Sequence, residues 1–263
     1  MKTKYPSLLQ RTAVLLYGVV TYAIFFAVFC YAAGFIGDFL VPKTIDSAAT
    51  DPLGVALAIN IALLGVFAVQ HSVMARPFFK RQLTRFIPEA AERPTYVLLS
   101  SLALILLFWQ WRPMGGVVWH VHNPAMAGFM RGGFAFGLLV VLATTFLINH
   151  FDLFGLRQTW LYFRNRPYRP LKFVTPGPYR FVRHPLYVGW LCTFWFTPTM
   201  TVAHLVFALM TTAYILVAIQ FEERDLVDIH GTDYVEYRKR TPMLIPGTAA
   251  RTAAPSAENQ RAA

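Results

Sequence analysis

The run LYVGWLCTFWFTPTMTVAHLVFALMTTAYILVAIQF, residues 186–221, decides the fold. A transmembrane helix needs about 20 apolar residues, so this run is too long for a single crossing. Thr197-Pro198-Thr199 lies near its middle and supplies a turn. Folding back there returns the cations beyond the run, Arg224, Arg238, Lys239 and Arg240, to the side from which it started. The run therefore reads as a helical hairpin with arms at about 186–197 and 199–221.

Immediately before it stands Val174-Thr-Pro-Gly-Pro-Tyr-Arg-Phe-Val-Arg-His-Pro-Leu-Tyr187. Pro176, Gly177 and Pro178 enforce a turn, because two fixed φ angles flank a residue free to take positive φ. Arg180, Arg183 and His184 follow, and Pro185 suits the first turn of a helix, where its missing N–H costs nothing. A basic loop thus feeds a helix N-terminus, whose dipole and free N–H groups favour anions. Immediately after the run comes Phe221-Glu-Glu-Arg-Asp-Leu226, then Gly231, Tyr234, Tyr237 and Arg240-Thr-Pro-Met-Leu-Ile-Pro246. Because the hairpin turns back, Arg183-His184 and Glu222-Glu223 are expected at the same membrane depth. They would form one mixed-charge cleft, suited to a zwitterionic ligand that also carries a positive centre.

The rest of the chain fits a membrane solvent. Of 263 residues 56% are hydrophobic, including 23 Phe, 12 Tyr and 6 Trp, and 14% are charged, against about 25% in a soluble domain. Four further spans are expected at about 13–39, 53–74, 95–111 and 127–149. The protein is accordingly predicted to be an all-α integral membrane protein of five to six transmembrane helices, five if the final region is counted as one. It is read as a single domain over 1–246, with a disordered tail at 247–263 and no cleaved signal peptide. The segments 76–93 and 150–184 are rich in Arg and Lys, whereas 38–52 and 112–126 each carry one cation. The positive-inside rule then places both termini and both motif halves in the cytoplasm. This distribution also accounts for the net charge of +11 without nucleic acid. Cys30 and Cys192 lie in apolar runs and form no metal motif. Segments 77–87 and 156–163 read as amphipathic helices on an anionic leaflet.

Ionisable groups beside spans are costly and so are candidate functional residues. His71 follows Gln70 at the end of the second span. His150 and Asp152 close the fourth in Asn-His-Phe-Asp-Leu-Phe-Gly, and could form an acid/base pair. His120 and His122 read as solvated, and His204 as structural.

The stretch 177–189, Gly-Pro-Tyr-Arg-Phe-Val-Arg-His-Pro-Leu-Tyr-Val-Gly, with Glu-Glu-Arg-Asp-Leu (222–226) after the hairpin, resembles the isoprenylcysteine carboxyl methyltransferase superfamily. Within it, Gln70–Arg76, Glu92–Tyr96, Phe108–Pro113 and Asn149–Gln158 resemble the bacterial methanethiol S-methyltransferases over nearly the whole chain except the tail. The resemblance implies an enzyme that uses S-adenosylmethionine to convert methanethiol to dimethyl sulfide, in the bacterial inner membrane with the cofactor site facing the cytoplasm. It implies cofactor contacts from Tyr179, Arg183, His184, Pro185, Tyr187, Glu222, Glu223, Tyr234, Tyr237 and Arg240. Glu222, Glu223 and the tyrosines would meet the ammonium and sulfonium, and Arg183 with the helix start the carboxylate. His150 oriented by Asp152 is the first choice of base for the thiol, and His71 the second. The expected partners are a small thiol and the lipid bilayer, with no nucleic acid, metal or obligate protein partner. Alternatives are another acceptor (a lipidated-cysteine carboxylate or a phospholipid amine) or a non-enzymatic membrane protein of nitrogen-oxide metabolism. A transporter more often shows internal repeats and midplane polar residues, whereas here no repeat is visible and polar groups concentrate at the ends expected in the cytoplasm.

Overall fold

In the computed structural model, which describes residues 6–248, the regular structure is helical apart from two short strands. Five helices are long and apolar enough to cross a membrane: α1 (Leu8–Gly37), α2 (Leu53–Ala75), α4 (Glu92–Gln110), α5 (Pro124–Leu147) and α9 (Val202–His230). A one-turn 3-10 helix, Glu89–Ala91, leads into α4. The short helices are α3 (Pro77–Leu83), α6 (His150–Leu153), α7 (Leu156–Phe163), α8 (Pro185–Trp195) and α10 (Thr232–Arg240). The tail expected at 247–263 lies, from residue 249 onward, outside the described residues.

The hairpin is asymmetric. At 1.5 Å per residue, the 11 residues of α8 reach about 16 Å, roughly half the hydrocarbon thickness, whereas α9 continues well beyond 221 to His230. Residues 222–230 contain no breaker before Gly231, so Glu222 and Glu223 lie within the helix rather than at its end.

Helices α1, α4, α2, α9 and α8 pack in that sequence, α8 also touches α1, and α5 lies against α8. Phe35, Leu64, Phe108, Trp111, Phe207 and Ile219 fill the space between them. Leu16, Val69, Phe129, Leu139 and Val217 are exposed on the outer surfaces, as a lipid solvent requires of a polytopic helical protein. The contact of α5 with α8 is close because both present glycine there. A Cβ on Gly137 would lie 2.6 Å from the Gly189 carbonyl oxygen, and one on Gly189 would lie 2.8 Å from that of Gly137. Small residues allow such backbone approach between membrane helices.

At the turn end of the hairpin, Thr199–Thr201 (β2) pairs antiparallel with Val117–His120 (β1). Asp46 joins this end by accepting from Thr201 and meeting His204 Nδ1 at 3.1 Å, while His204 Nε2 meets the Phe194 carbonyl at 3.0 Å. His204 is thus a buried strut, and His120 is exposed. Asn60, fully buried, holds both the N–H and the C=O of Arg112 at 2.8 and 2.7 Å, and so fixes the chain as it leaves α4.

Candidate active site

At the opposite end, the motif before α8 and the polar end of α9 meet. Gly177 has φ +52, a left-handed value that glycine adopts without strain. Residues 177–180 then form a 3-10 turn, and Pro185 opens α8. After α10 the chain runs back along the motif: Arg183 N–H donates to the Pro242 carbonyl (2.8 Å) and His184 N–H to that of Met243 (3.2 Å). The segment Thr-Pro-Met thereby locks the two motif residues in place.

The two neighbouring glutamates play different parts. Successive residues on a helix are rotated by about 100°, so only one can face inward. Glu223, with its side chain 10% exposed, accepts from Arg183 Nε (2.7 Å) and meets His184 Nε2 (3.1 Å). Arg183 also donates to the carbonyls of Thr241 (2.6 Å) and Arg238 (3.1 Å). Glu222, 44% exposed, accepts from the Tyr187 hydroxyl at 2.8 Å and lies 3.9 Å from His184 Nδ1. Arg183 and Glu223 therefore satisfy each other, and Glu222 is the carboxylate with free capacity.

Aromatic residues of α10 complete this side. Tyr234 and Tyr237 face the interior, each with its ring edge-on to Phe173. The Tyr237 hydroxyl donates to the Tyr179 carbonyl. Burial raises the phenols of Tyr179 and Tyr234 above their ordinary value and pushes Tyr237 up to about 12, so all three remain donors at neutral pH. The Tyr234 hydroxyl is buried and has no hydrogen-bond partner among the described residues. Arg240 is exposed and donates to the Glu236 carbonyl. With Phe173, Thr175, Asp233 and Tyr237 it lines an open groove of about 340 Å³ along α10.

The histidines separate. His71 on α2 lies 2.7 Å from the Tyr96 hydroxyl of α4 and 3.2 Å from Ser100 Oγ. Ser72, next to His71, meets Tyr214 of α9 at 3.2 Å, and Arg76 at the end of α2 pairs with Asp225 of α9 at 3.0 Å, so this group lies against the helix that carries Glu222. The sequence reading did not single out Tyr96, Ser100 or Tyr214; their signal is a hydroxyl inside an apolar span. His150 belongs to another cluster, stacked on Phe146 with ring centroids 4.2 Å apart. Thr145 donates its hydroxyl proton to the Leu142 carbonyl, so it accepts from His150 Nδ1–H (2.8 Å), and Nε2 accepts from Tyr22 (2.8 Å). Both nitrogens are thereby engaged. Asp152 does not orient His150; it pairs with Arg157 (2.7 Å) and accepts from Tyr168 (3.2 Å).

Burial lowers the His150 pKa below its ordinary value. The unfolded chain then binds more protons than the native one as pH falls from about 6.5 toward the native value, and stability is lost over that window. A His150→Asn protein should show a smaller drop in melting temperature between pH 7 and 5 than the parent, read in detergent by intrinsic fluorescence. Equal drops would place the acid sensitivity elsewhere.

Comparisons with known proteins identify the family. Residues 133–233 match the family model for phospholipid methyltransferases. The methanethiol S-methyltransferase of Crocosphaera subtropica is 59% identical over 93% of this chain and 96% of its own length. That of Mycobacterium tuberculosis is 51% identical over 90% and 98%, and methanethiol S-methyltransferase 2 of Bradyrhizobium diazoefficiens 53% over 92% and 93%. No solved structure matches the chain significantly. With identities above one half over nine-tenths of its length, the chain belongs to the methanethiol S-methyltransferase family.

Proposed function

We propose that this protein transfers the methyl group of S-adenosylmethionine to methanethiol, releasing dimethyl sulfide. The proposed donor site is the meeting of the two motif halves. One membrane domain over 1–246 carries the reaction, and the cation-rich end, with both termini and this site, faces the cytoplasm of a bacterial inner membrane. The positive-inside distribution of Arg and Lys supports that orientation.

The observation that carries the reading is the pairing of a spare carboxylate with an orphaned donor. Glu222 has one hydrogen-bonded neighbour, Tyr187, and the buried Tyr234 hydroxyl has none. Buried polar groups are otherwise nearly always satisfied, so a polar ligand fits here. When bound, S-adenosylmethionine supplies an electrophilic methyl on a cationic sulfur. Glu222 and Tyr187 suit its ammonium and sulfonium, and the free amides in the first turn of α8 suit its carboxylate. Arg183, His184 and Glu223 hold the loop and α9 together; Pro185 sets the start of α8. Tyr179, Tyr234, Tyr237 and Arg240 wall the side toward α10. His71 is the group proposed for the acceptor; His150 and Asp152 belong to a separate cluster with Thr145, Tyr22 and Arg157. Attack of a thiolate on a sulfonium cancels charge, so exclusion of water favours it.

The test offers isotopically labelled donor to purified protein with methanethiol, a prenylated cysteine or phosphatidylethanolamine vesicles in parallel. Label should enter the volatile fraction with methanethiol and neither of the others. Label in the lipid or the prenylated cysteine, with no volatile product, would reassign the acceptor.

A further inference from the structure

Polar side chains inside an apolar bundle are costly unless they are used. Between α2 and α4 such a group stands next to the motif. Gln70 donates to Ser100 Oγ at 3.3 Å, Ser100 meets His71 Nδ1 at 3.2 Å, and Tyr96 meets His71 Nε2 at 2.7 Å. Tyr214 of α9 joins through Ser72 at 3.2 Å. Three aromatic rings surround the imidazole: Phe67 stacked at 5.2 Å between centroids, Tyr96 at 5.0 Å and Tyr214 at 6.5 Å. A purely structural knot would close on itself, but Gln70 Oε1 is buried with no partner among the described residues. An orphaned acceptor, an imidazole and apolar walls together suit a small ligand with one weak donor and an alkyl group.

We infer that this group is the acceptor subsite, that it takes a small alkyl thiol, and that His71 receives the thiol proton. The inference rests on the thiol-methylation reading above. The alkyl group lies against the aromatic walls, and Gln70 Oε1 orients the S–H. As the acceptor's new S–C bond forms, the S–CH₃ bond of the donor breaks and its electron pair stays on the donor sulfur. The thiol proton moves to the His71 ring, which returns it toward water past the Tyr96 hydroxyl at 2.7 Å. His150 stands apart from this group, in a separate cluster with Tyr22, Thr145 and Phe146.

The experiment compares His71→Gln, Tyr96→Phe and His150→Gln with the parent protein. Three readouts are methyl transfer to methanethiol from pH 7 to 10, the KM for the thiol, and donor affinity by calorimetry. General-base catalysis typically contributes about 10²–10⁴-fold, so His71→Gln should fall about 100-fold or more at pH 7. Its deficit should shrink toward pH 10, where a growing share of the thiol ionises unaided. Donor affinity should stay within about threefold, well under the 1.4 kcal/mol that a tenfold change represents. Tyr96→Phe should raise the KM for methanethiol, and His150→Gln should retain the parent rate. A deficit that is constant with pH, or a matching loss of donor affinity, would reduce His71 to a structural role and overturn the subsite. Full activity in His71→Gln beside an active parent would remove the subsite alone. A parent that binds the donor and methylates no thiol would remove the reaction as well.

Discussion

Arg183→Ala should be the most damaging single side-chain change in the polar half of the molecule. It leaves the buried Glu223 with His184 and the more distant Arg238 (3.9 Å) in place of its 2.7 Å partner, and frees the carbonyls of Thr241 and Arg238. Removing one partner of a buried ion pair typically costs about 3–5 kcal/mol, against about 5–15 kcal/mol of total stability for a typical domain. The protein should therefore melt at a much lower temperature in detergent, and donor binding should vanish with the loop that Arg183 anchors. Glu222→Gln provides the contrast. Its carboxylate is half-exposed and receives one hydrogen bond, so the fold should survive. Loss of a charge that faces the donor's cation should weaken donor binding about 10-fold or more, since charged hydrogen bonds contribute about 1.5–3 kcal/mol. Calorimetry beside thermal melting reads both quantities. If the two variants lose stability equally, the division between a structural Glu223 and a ligand-facing Glu222 is wrong.

Gly189→Leu should be the largest effect in the apolar half. A Cβ there meets the Gly137 carbonyl oxygen at 2.8 Å and the Val141 backbone nitrogen at 2.9 Å. Neither atom can retreat without moving α5, so α8 must shift instead. Displacing α8 also displaces Pro185 and the motif before it, and a cost of about 4 kcal/mol or more is expected, in the range reserved for core disruption. Gly132→Ala on the same α5 is the control. A Cβ at Gly132 meets nothing within 4 Å, so the higher helix propensity of Ala should leave stability unchanged or raise it by up to about 1 kcal/mol. Purified yield and melting temperature separate the two outcomes; a Gly189→Leu protein that melts like the parent would show that α5 and α8 need not touch.

Much of this was legible in the sequence. Hydropathy shows the long helices, Thr197-Pro198-Thr199 shows the turn, and the hairpin topology alone brings Arg183-His184 to Glu222-Glu223. Local signals did not extend to helix rotation. Which glutamate faces inward depends on how α9 packs, and only the contact with Arg183 shows that it is Glu223. The strand pair of Val117–His120 with Thr199–Thr201 needs a partner some 80 positions away, so no local pattern announces it. Segment 156–163 reads as an amphipathic helix lying on the leaflet. In the fold Gln158 and Thr159 are buried, the latter against Gly18 of α1, and Trp160 is half-exposed. The helix forms with the expected bounds, and Thr159 on its polar side packs against α1. The proposed link between His150 and Asp152 illustrates another limit. Residues two apart on a helical turn do not face each other, and Arg157, five residues on, reaches Asp152 instead.

The central claim is that the two motif halves form the donor site of a thiol methyltransferase. The most direct measurement is headspace detection of dimethyl sulfide from purified protein given S-adenosylmethionine and methanethiol, beside the same assay with Glu222→Gln. The expected result is dimethyl sulfide in step with S-adenosylhomocysteine from the parent, and a reduced rate, restored in part by excess donor, from the variant. Demethylation of the donor with no dimethyl sulfide, or a variant with unchanged donor dependence, would contradict it.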